Sequence, residues 1–241
     1  MEAEKERELD LIRAFYDSVY YRDVSRPVSI PRHLRGLARR ISVRPGMRVL
    51  DVACGIGSWL RAVLQIGAIP HGVDLSARAI AACQADMPHG QFHACAAEAL
   101  PFADKQFDVV SCLGSIEHFV DPAAALREMV RVAKDEAEFL LLVPNGNFLT
   151  RRLGLYHGTE QAAVKEVVRT PGEWLELFEA CGIEVGKRWR DLHVLTPGWI
   201  FARGGARAPL RALQALALAV WPLEWQYQIY HRGRKRARPS D

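Results

Sequence analysis

Between residues 47 and 144 the chain alternates short apolar, β-rich runs with stretches of helical composition, and this alternation restricts the fold more than any other feature. The runs are MRVLDVA (47–53), AIPHGVDL (68–75), QFHACA (91–96), FDVVSCLG (107–114) and EFLLLVP (138–144). Between them lie GSWLRAVLQIG, SARAIAACQADM and DPAAALREMVRVAK, each helical in composition. Strands separated by helices of this length form βαβ units, so the expected architecture is α/β, a doubly wound and mostly parallel sheet with an antiparallel last strand and helices on both faces. At 241 residues and 49% hydrophobic content, one such core with appendages fits better than two independent domains.

The flanks divide the chain further. A helical cap over 1–44 is predicted from EAEKERELDLIRAFYDSVY (2–20), where Leu9, Ile12, Phe15, Tyr16 and Val19 share one helical face, and from PRHLRGLARRIS (31–42), which opens on proline. The main domain spans 45–204. Within it, PGEWLELFEACG (171–182) reads as a helix stopped by Gly182, followed by strand candidates IEVGKRWRD and LHVLT. The stretch 145–170 is too long for a tight connection and is expected to act as a lid or acceptor-binding segment. Residues 205–241 are expected to form an apolar helix and a basic tail.

Charge and cysteines remove several function classes. The formal net charge is +4, but RGRKRARPSD at 232–241 carries five Lys/Arg and one Asp, leaving the remainder neutral. A nucleic-acid reader spreads positive charge over a folded face, so no nucleic-acid partner is expected. The charged opening MEAEKEREL lacks the apolar run of a signal peptide, and no stretch of membrane-spanning length is free of charge; a cytoplasmic address follows. The five cysteines include no CxxC pair and are read as reduced thiols. His89, His93 and Cys95 are close in sequence but lack a fourth ligand, and no metal is expected.

The chemistry concentrates in VLDVACGIGSWL (49–60). Glycines after the first strand of an open parallel sheet let a ligand approach backbone N–H groups at the next helix, a role that Gly55 and Gly57 fit. A dinucleotide fold would place a third glycine where Leu60 stands, and a pyrophosphate would be repelled by Asp51. A ligand bearing an ammonium or sulfonium is favoured there instead. Asp74, 19 residues after Gly55, ends the second strand where a carboxylate accepts from both ribose hydroxyls. Taken singly, Asp51 and Asp74 read equally well as strand-end caps; the pair together with the glycines points to S-adenosylmethionine.

With AAEALPFADKQFDVVSCLGSIEHFVDP (96–122) and REMVRVAK (127–134) following in order, the chain resembles the class I S-adenosylmethionine-dependent methyltransferases, of the type 11-like, small-molecule group with a Rossmann-like sheet, over roughly residues 45–145. The resemblance implies a cofactor site with Asp51, Ala53, Gly55 and Gly57 around the methionine part and Asp74 on the ribose. It puts Leu75 against an adenine face, Ala96, Ala97 and Glu98 at the adenine edge, and Leu113 at the end of the fourth strand. Three departures stand out. Ala53 replaces a glycine, Ala96 replaces an Asp, leaving adenine recognition to the Ala97 backbone or Glu98, and KDEAE replaces the Lys-Pro-Gly-Gly turn before the fifth strand.

The expected activity is methyl transfer to a small-molecule or lipid-linked acceptor, at oxygen. The alternative is a protein that binds S-adenosylmethionine or S-adenosylhomocysteine without turnover and acts as an interaction partner. His118 is the candidate general base, against an inert, hydrogen-bonded reading; Glu117 orients it or lines the pocket. Tyr16, Tyr20 and Tyr21 either cover the cofactor or pack in the core, and Arg152, Tyr156 and His157 are candidates for acceptor selection. The C-terminal pattern of Leu210, Leu213, Leu216, Ala217, Val220 and Trp221, then Trp225, Tyr227, Tyr230 and a basic cluster, has two readings. One is a helix docked on the core or on a second subunit; the other is peripheral contact with an anionic inner membrane surface.

Overall fold

A computed structural model describes residues 2–22, 30–152, 154, 166–191, 200–201 and 208–236. Seven strands form one sheet in the order β3-β2-β1-β4-β5-β7-β6. The first five are β1 (Arg48–Val52), β2 (Ile69–Asp74), β3 (Gln91–Ala94), β4 (Phe107–Leu113) and β5 (Ala133–Pro144). They are all parallel, and β7 (Gln228–Lys235) runs antiparallel between β5 and β6 (Ile183–Arg190). Helices α3 (Ser58–Leu64), α4 (Ala77–Asp86) and α5 (Pro122–Val132) make the crossovers, α7 (Pro171–Ala180) precedes β6, and α1 (Glu2–Phe15) and α2 (Arg32–Arg40) precede β1. A short α6 (Leu149–Arg152) follows β5, and α8 (Ala208–Val220) lies between β6 and β7.

Helices cover both faces, which is why the central strands are apolar at nearly every position rather than at every second one. Leu50, Val110, Phe139 and Leu141 point to one face, where Leu126 and Met129 of α5 and Trp174 and Phe178 of α7 bury them. Val49, Val109, Leu140 and Leu142 point to the other, under Leu37 of α2 and Trp59, Leu60 and Val63 of α3. Helix starts follow local chemistry. The Ser76 and Asp121 side chains accept from the backbone N–H of Ala79 and Ala124, and Thr170 and Glu173 form a capping box before α7.

Three expectations change. Tyr230 and the basic residues Arg232, Arg234 and Lys235, read as part of an aromatic and basic tail, lie in β7, inside the sheet. The strand candidate LHVLT (192–196) lies outside the described residues; among the described residues the partner of β6 is β7. KDEAE is no turn: α5 passes directly into β5, and an irregularity in the ladder absorbs the extra residues, with Phe107 opposite Ala133 and Val109 opposite Glu138. The predicted helix over 2–20 runs as α1 to Phe15 and closes in a π-helical turn, Tyr16–Tyr20.

Candidate cofactor and acceptor site

The carboxyl ends of β1, β2 and β4 converge on a cavity of about 660 Å³. Parallel strands deliver their tips to one edge, and the crevice beside the first strand is where open α/β sheets bind ligands. The turn out of β1 is tight because Ala53, Gly55 and Gly57 all adopt the left-handed conformation, at φ 60°, 52° and 77°. Glycine takes this conformation freely; Ala53 holds it against a steric cost of about 1 kcal/mol. At Gly55 a side chain has no room, since a Cβ would stand 2.6 Å from the Tyr21 hydroxyl. Gly57 faces Met87 and Cys83 instead, so it shapes the turn without lining the cavity.

Two buried carboxyls stand at neighbouring strand ends. Asp51 Oδ1 accepts from the Ser111 hydroxyl at 2.7 Å, and Ser111 Oγ in turn accepts from Trp59 Nε1 at 3.0 Å. Burial pushes the Asp51 carboxyl up to about 7; the Ser111 hydrogen bond opposes this and the nearby Asp74 adds to it. Asp74 receives the Gly55 N–H on Oδ2 at 2.8 Å and the Ser76 N–H on Oδ1 at 2.9 Å. Burial raises the Asp74 carboxyl while these two N–H groups hold it down. A carboxylate has about four acceptor positions, so Asp74 retains capacity for ligand hydroxyls.

Four carboxyl residues line the cavity, Asp51, Asp74, Glu98 and Asp191, and no Lys or Arg among the described residues does. The lining therefore favours a ligand with positive charge. Leu75, Ala97 and Leu113 supply apolar wall. Ala96 does not line the cavity; its carbonyl accepts from the Ala99 N–H. Glu98 Oε1 accepts from the Asp121 N–H at 3.1 Å, which ties the edge of the site to the start of α5.

After β4 the chain makes one 3-10 turn, Ile116–His118. His118 lines the cavity and its N–H donates to the Ser115 carbonyl at 3.0 Å. Glu117 is buried beside it, with Oε2 lacking a hydrogen-bond partner among the described residues, and burial pushes its carboxyl up to about 8. Tyr16, Tyr20 and Tyr21 form the roof, each ring contacting the others. Asp17 fastens this roof by accepting from the Ser76 hydroxyl. Burial pushes the Tyr16 and Tyr21 phenols far up, so both remain neutral donors.

The structure thus brings together Asp51, Ala53, Gly55, Asp74, Leu75, Ala97, Glu98, Leu113 and His118 around one space, and leaves Gly57 and Ala96 outside it. Tyr156 and His157 lie outside the described residues, and Arg152 is exposed at the end of α6. Sequence reasoning missed Ser111 and Trp59, whose only signal is a polar residue in an otherwise apolar strand. It also missed Asp191, Gln228 and Tyr230, which reach the cavity through the β6–β7 pairing.

Residues 50–141 match the family model described as a methyltransferase domain. Over 125 residues the chain is 34% identical to a ubiquinone biosynthesis O-methyltransferase of Pseudomonas entomophila (strain L48), a match covering 48% of this chain and 52% of that protein. Over 118 residues it is 33% identical to cycloartenol-C-24-methyltransferase 1 of Oryza sativa subsp. japonica, covering 44% and 33%. The chain spans about half or less of the length of these relatives. The crystal structure of an S-adenosylmethionine-dependent methyltransferase from Mesorhizobium loti matches with a TM-score of 0.62 at 18% identity, over 83% of this chain and 96% of that one, a likeness of fold.

Proposed function

We propose that the protein, whose residues 50–141 match the methyltransferase-domain model, uses S-adenosylmethionine to methylate an oxygen of a small-molecule or lipid-linked acceptor. The observation that carries this reading is the cavity at the carboxyl edge of the sheet, with Asp51 and Asp74 buried at adjacent strand tips and no Lys or Arg among its described lining residues. S-adenosylmethionine, when bound, supplies a methyl group on a sulfonium that needs no further activation as a leaving group. The protein's part is alignment and exclusion of water.

Asp51 would hold the ammonium of the methionine part, with the bend at Gly55 leaving room for it beside the backbone. Asp74 would accept from the ribose hydroxyls with the positions that Gly55 and Ser76 leave open. Leu75, Ala97 and Glu98 would border the adenine. His118 takes the proton from the acceptor hydroxyl, and the tyrosine roof keeps bulk water from the reacting atoms. The oxygen assignment draws support from the relative in Pseudomonas entomophila, which is named for that chemistry.

Calorimetric titration with S-adenosylhomocysteine and with NAD, followed by product formation over a panel of phenols and enols, tests the reading. Heat with S-adenosylhomocysteine, none with NAD, and a methylated phenol are expected. No heat with S-adenosylhomocysteine overturns it; binding without product from any acceptor favours a protein that binds the nucleoside and works as an interaction partner.

A further inference from the structure

The cavity holds two polar side chains that the cofactor does not account for. Gln228 and Tyr230 both line it, and neither side chain makes a hydrogen bond among the described residues. Alternate residues of a strand point the same way, so β7 presents this amide and this phenol on one face. Leu142 of β5 stands opposite Tyr230 on that face and shares its core with Leu34 and Trp59. The Tyr230 ring is fixed, since it is 5% exposed and stacks on Trp189 at 5.4 Å between centroids and 14° between planes. The Arg40 guanidinium in turn lies 4.2 Å from the Trp189 ring centroid. Burial and the neighbouring Asp191 carboxylate push the Tyr230 phenol far up, so it stays a donor.

Strand order separates this pair from the cofactor residues. In the sheet, β7 lies four strands from β2, which ends on Asp74, and two from β4, which precedes His118. At the usual spacing of neighbouring strands these separations are about 19 Å and about 10 Å. A nucleoside gripped at the β1–β2 side leaves the β4–β7 side to the acceptor. His118 and Tyr230 reach inward from the two ends of that side, so a single aromatic ring with oxygens at opposite ends spans it. Leu34, Trp59, Phe119 and Leu142 give it flat apolar walls.

Charge selects further. Asp191 lines this end and already has a partner, which leaves the two neutral side chains to hold the acceptor. An acceptor bearing a carboxylate would meet four carboxyl residues and no Lys or Arg among the described lining residues. A carbonyl oxygen has two lone pairs and takes the Tyr230 O–H and a Gln228 N–H together. We propose that Gln228 and Tyr230 form the acceptor's hydrogen-bonding subsite, and that the acceptor is an uncharged phenol with a carbonyl oxygen across the ring from the reacting hydroxyl. This assignment rests on the methyl-transfer reading for its use.

The test is calorimetric titration of the full chain, with S-adenosylhomocysteine present in excess, by three phenols of matched shape at neutral pH. They are para-hydroxyacetophenone, para-isopropylphenol and para-hydroxybenzoate. The wild type is expected to bind the ketone about tenfold tighter than either of the others, because only the ketone pairs both donors without adding charge. Tyr230→Phe keeps the ring on Trp189 and should weaken the ketone about fivefold while para-isopropylphenol stays within about twofold. Gln228→Leu should do the same, and the double variant should bind the two alike. A structural defect weakens both phenols together, so the ratio of the two affinities carries the result. The wild-type ratio needs no variant to fold. Equal affinities in the wild type, tighter binding of the carboxylate, no binding of the ketone, or an unchanged ratio in the double variant overturns the proposal. S-adenosylhomocysteine binding without a ketone preference refutes the subsite alone. A ketone preference in protein that does not bind S-adenosylhomocysteine removes the methyl-transfer reading and leaves the subsite standing.

Discussion

Asp51→Asn separates the cost of a buried charge from its use. The amide keeps the shape and still accepts from the Ser111 hydroxyl, which stands 2.7 Å from Asp51 Oδ1, but it cannot ionise. In the wild type, burial raises the carboxyl from 3.8 to about 7. The folded protein therefore holds this proton where the unfolded chain has released it, and stability from the group falls as pH rises from the unfolded value to about 7. Between about pH 5.5 and pH 8 the loss amounts to about 2 kcal/mol, since roughly one and a half pH units of that window lie below the folded value. Glu117, pushed up to about 8, acts in the same direction but is common to both proteins and cancels in the difference. Chemical denaturation at the two pH values should show wild-type stability falling about 2 kcal/mol more than that of Asp51→Asn. Titration of the same variant with S-adenosylmethionine at pH 8 should show affinity lower by about 2 kcal/mol or more, because the ammonium loses its counter-charge. Parallel pH profiles for the two proteins would refute the argument, since Asp51 would then carry no shifted ionisation.

Three further substitutions probe the site. Ser111→Ala removes the hydroxyl shared by Asp51 and the Trp59 indole; it should lower stability by about 1–2 kcal/mol. The same change should move the pH midpoint of S-adenosylmethionine binding upward, as read by calorimetry across pH. Asp74→Ala strips the Gly55 and Ser76 N–H groups of their acceptor, so S-adenosylhomocysteine affinity should fall more than about tenfold in a thermal-shift titration. His118→Ala should reduce turnover about a hundredfold while the S-adenosylhomocysteine dissociation constant stays within about twofold; an unchanged rate would remove the proton-accepting role.

The parallel half of the sheet was readable because each strand carries its own burial pattern: VLDV and FDVVSCL are apolar on both faces, and only a sheet covered on both sides asks for that. The placement of Asp51, Gly55 and Asp74 around one cavity was readable for a related reason, since each stands at or just beyond a strand tip. The antiparallel last strand was expected, but the residues that form it were not. QIYHRGRK has arginines at alternate positions and reads as a solvated tail; it becomes a strand because Arg232 pairs with Glu138 of β5 and because Ile229, Tyr230 and His231 meet cores that earlier segments build. Such compensation is tertiary and leaves no local signature. The Trp59–Ser111–Asp51 chain joins three separate elements and was hidden in the same way.

The position of β7 sets an order of assembly. Among the described strands the last in the chain enters between two that precede it, so β6 has no described neighbour in the sheet until residues 228–235 have left the ribosome. The five parallel strands can close early from contacts within 48–144, while α7 and β6 wait with an open edge for a partner some forty residues downstream. Cutting the chain before β7 would therefore split the sheet rather than trim an end, and would expose a pairing edge on β5 and β6 together.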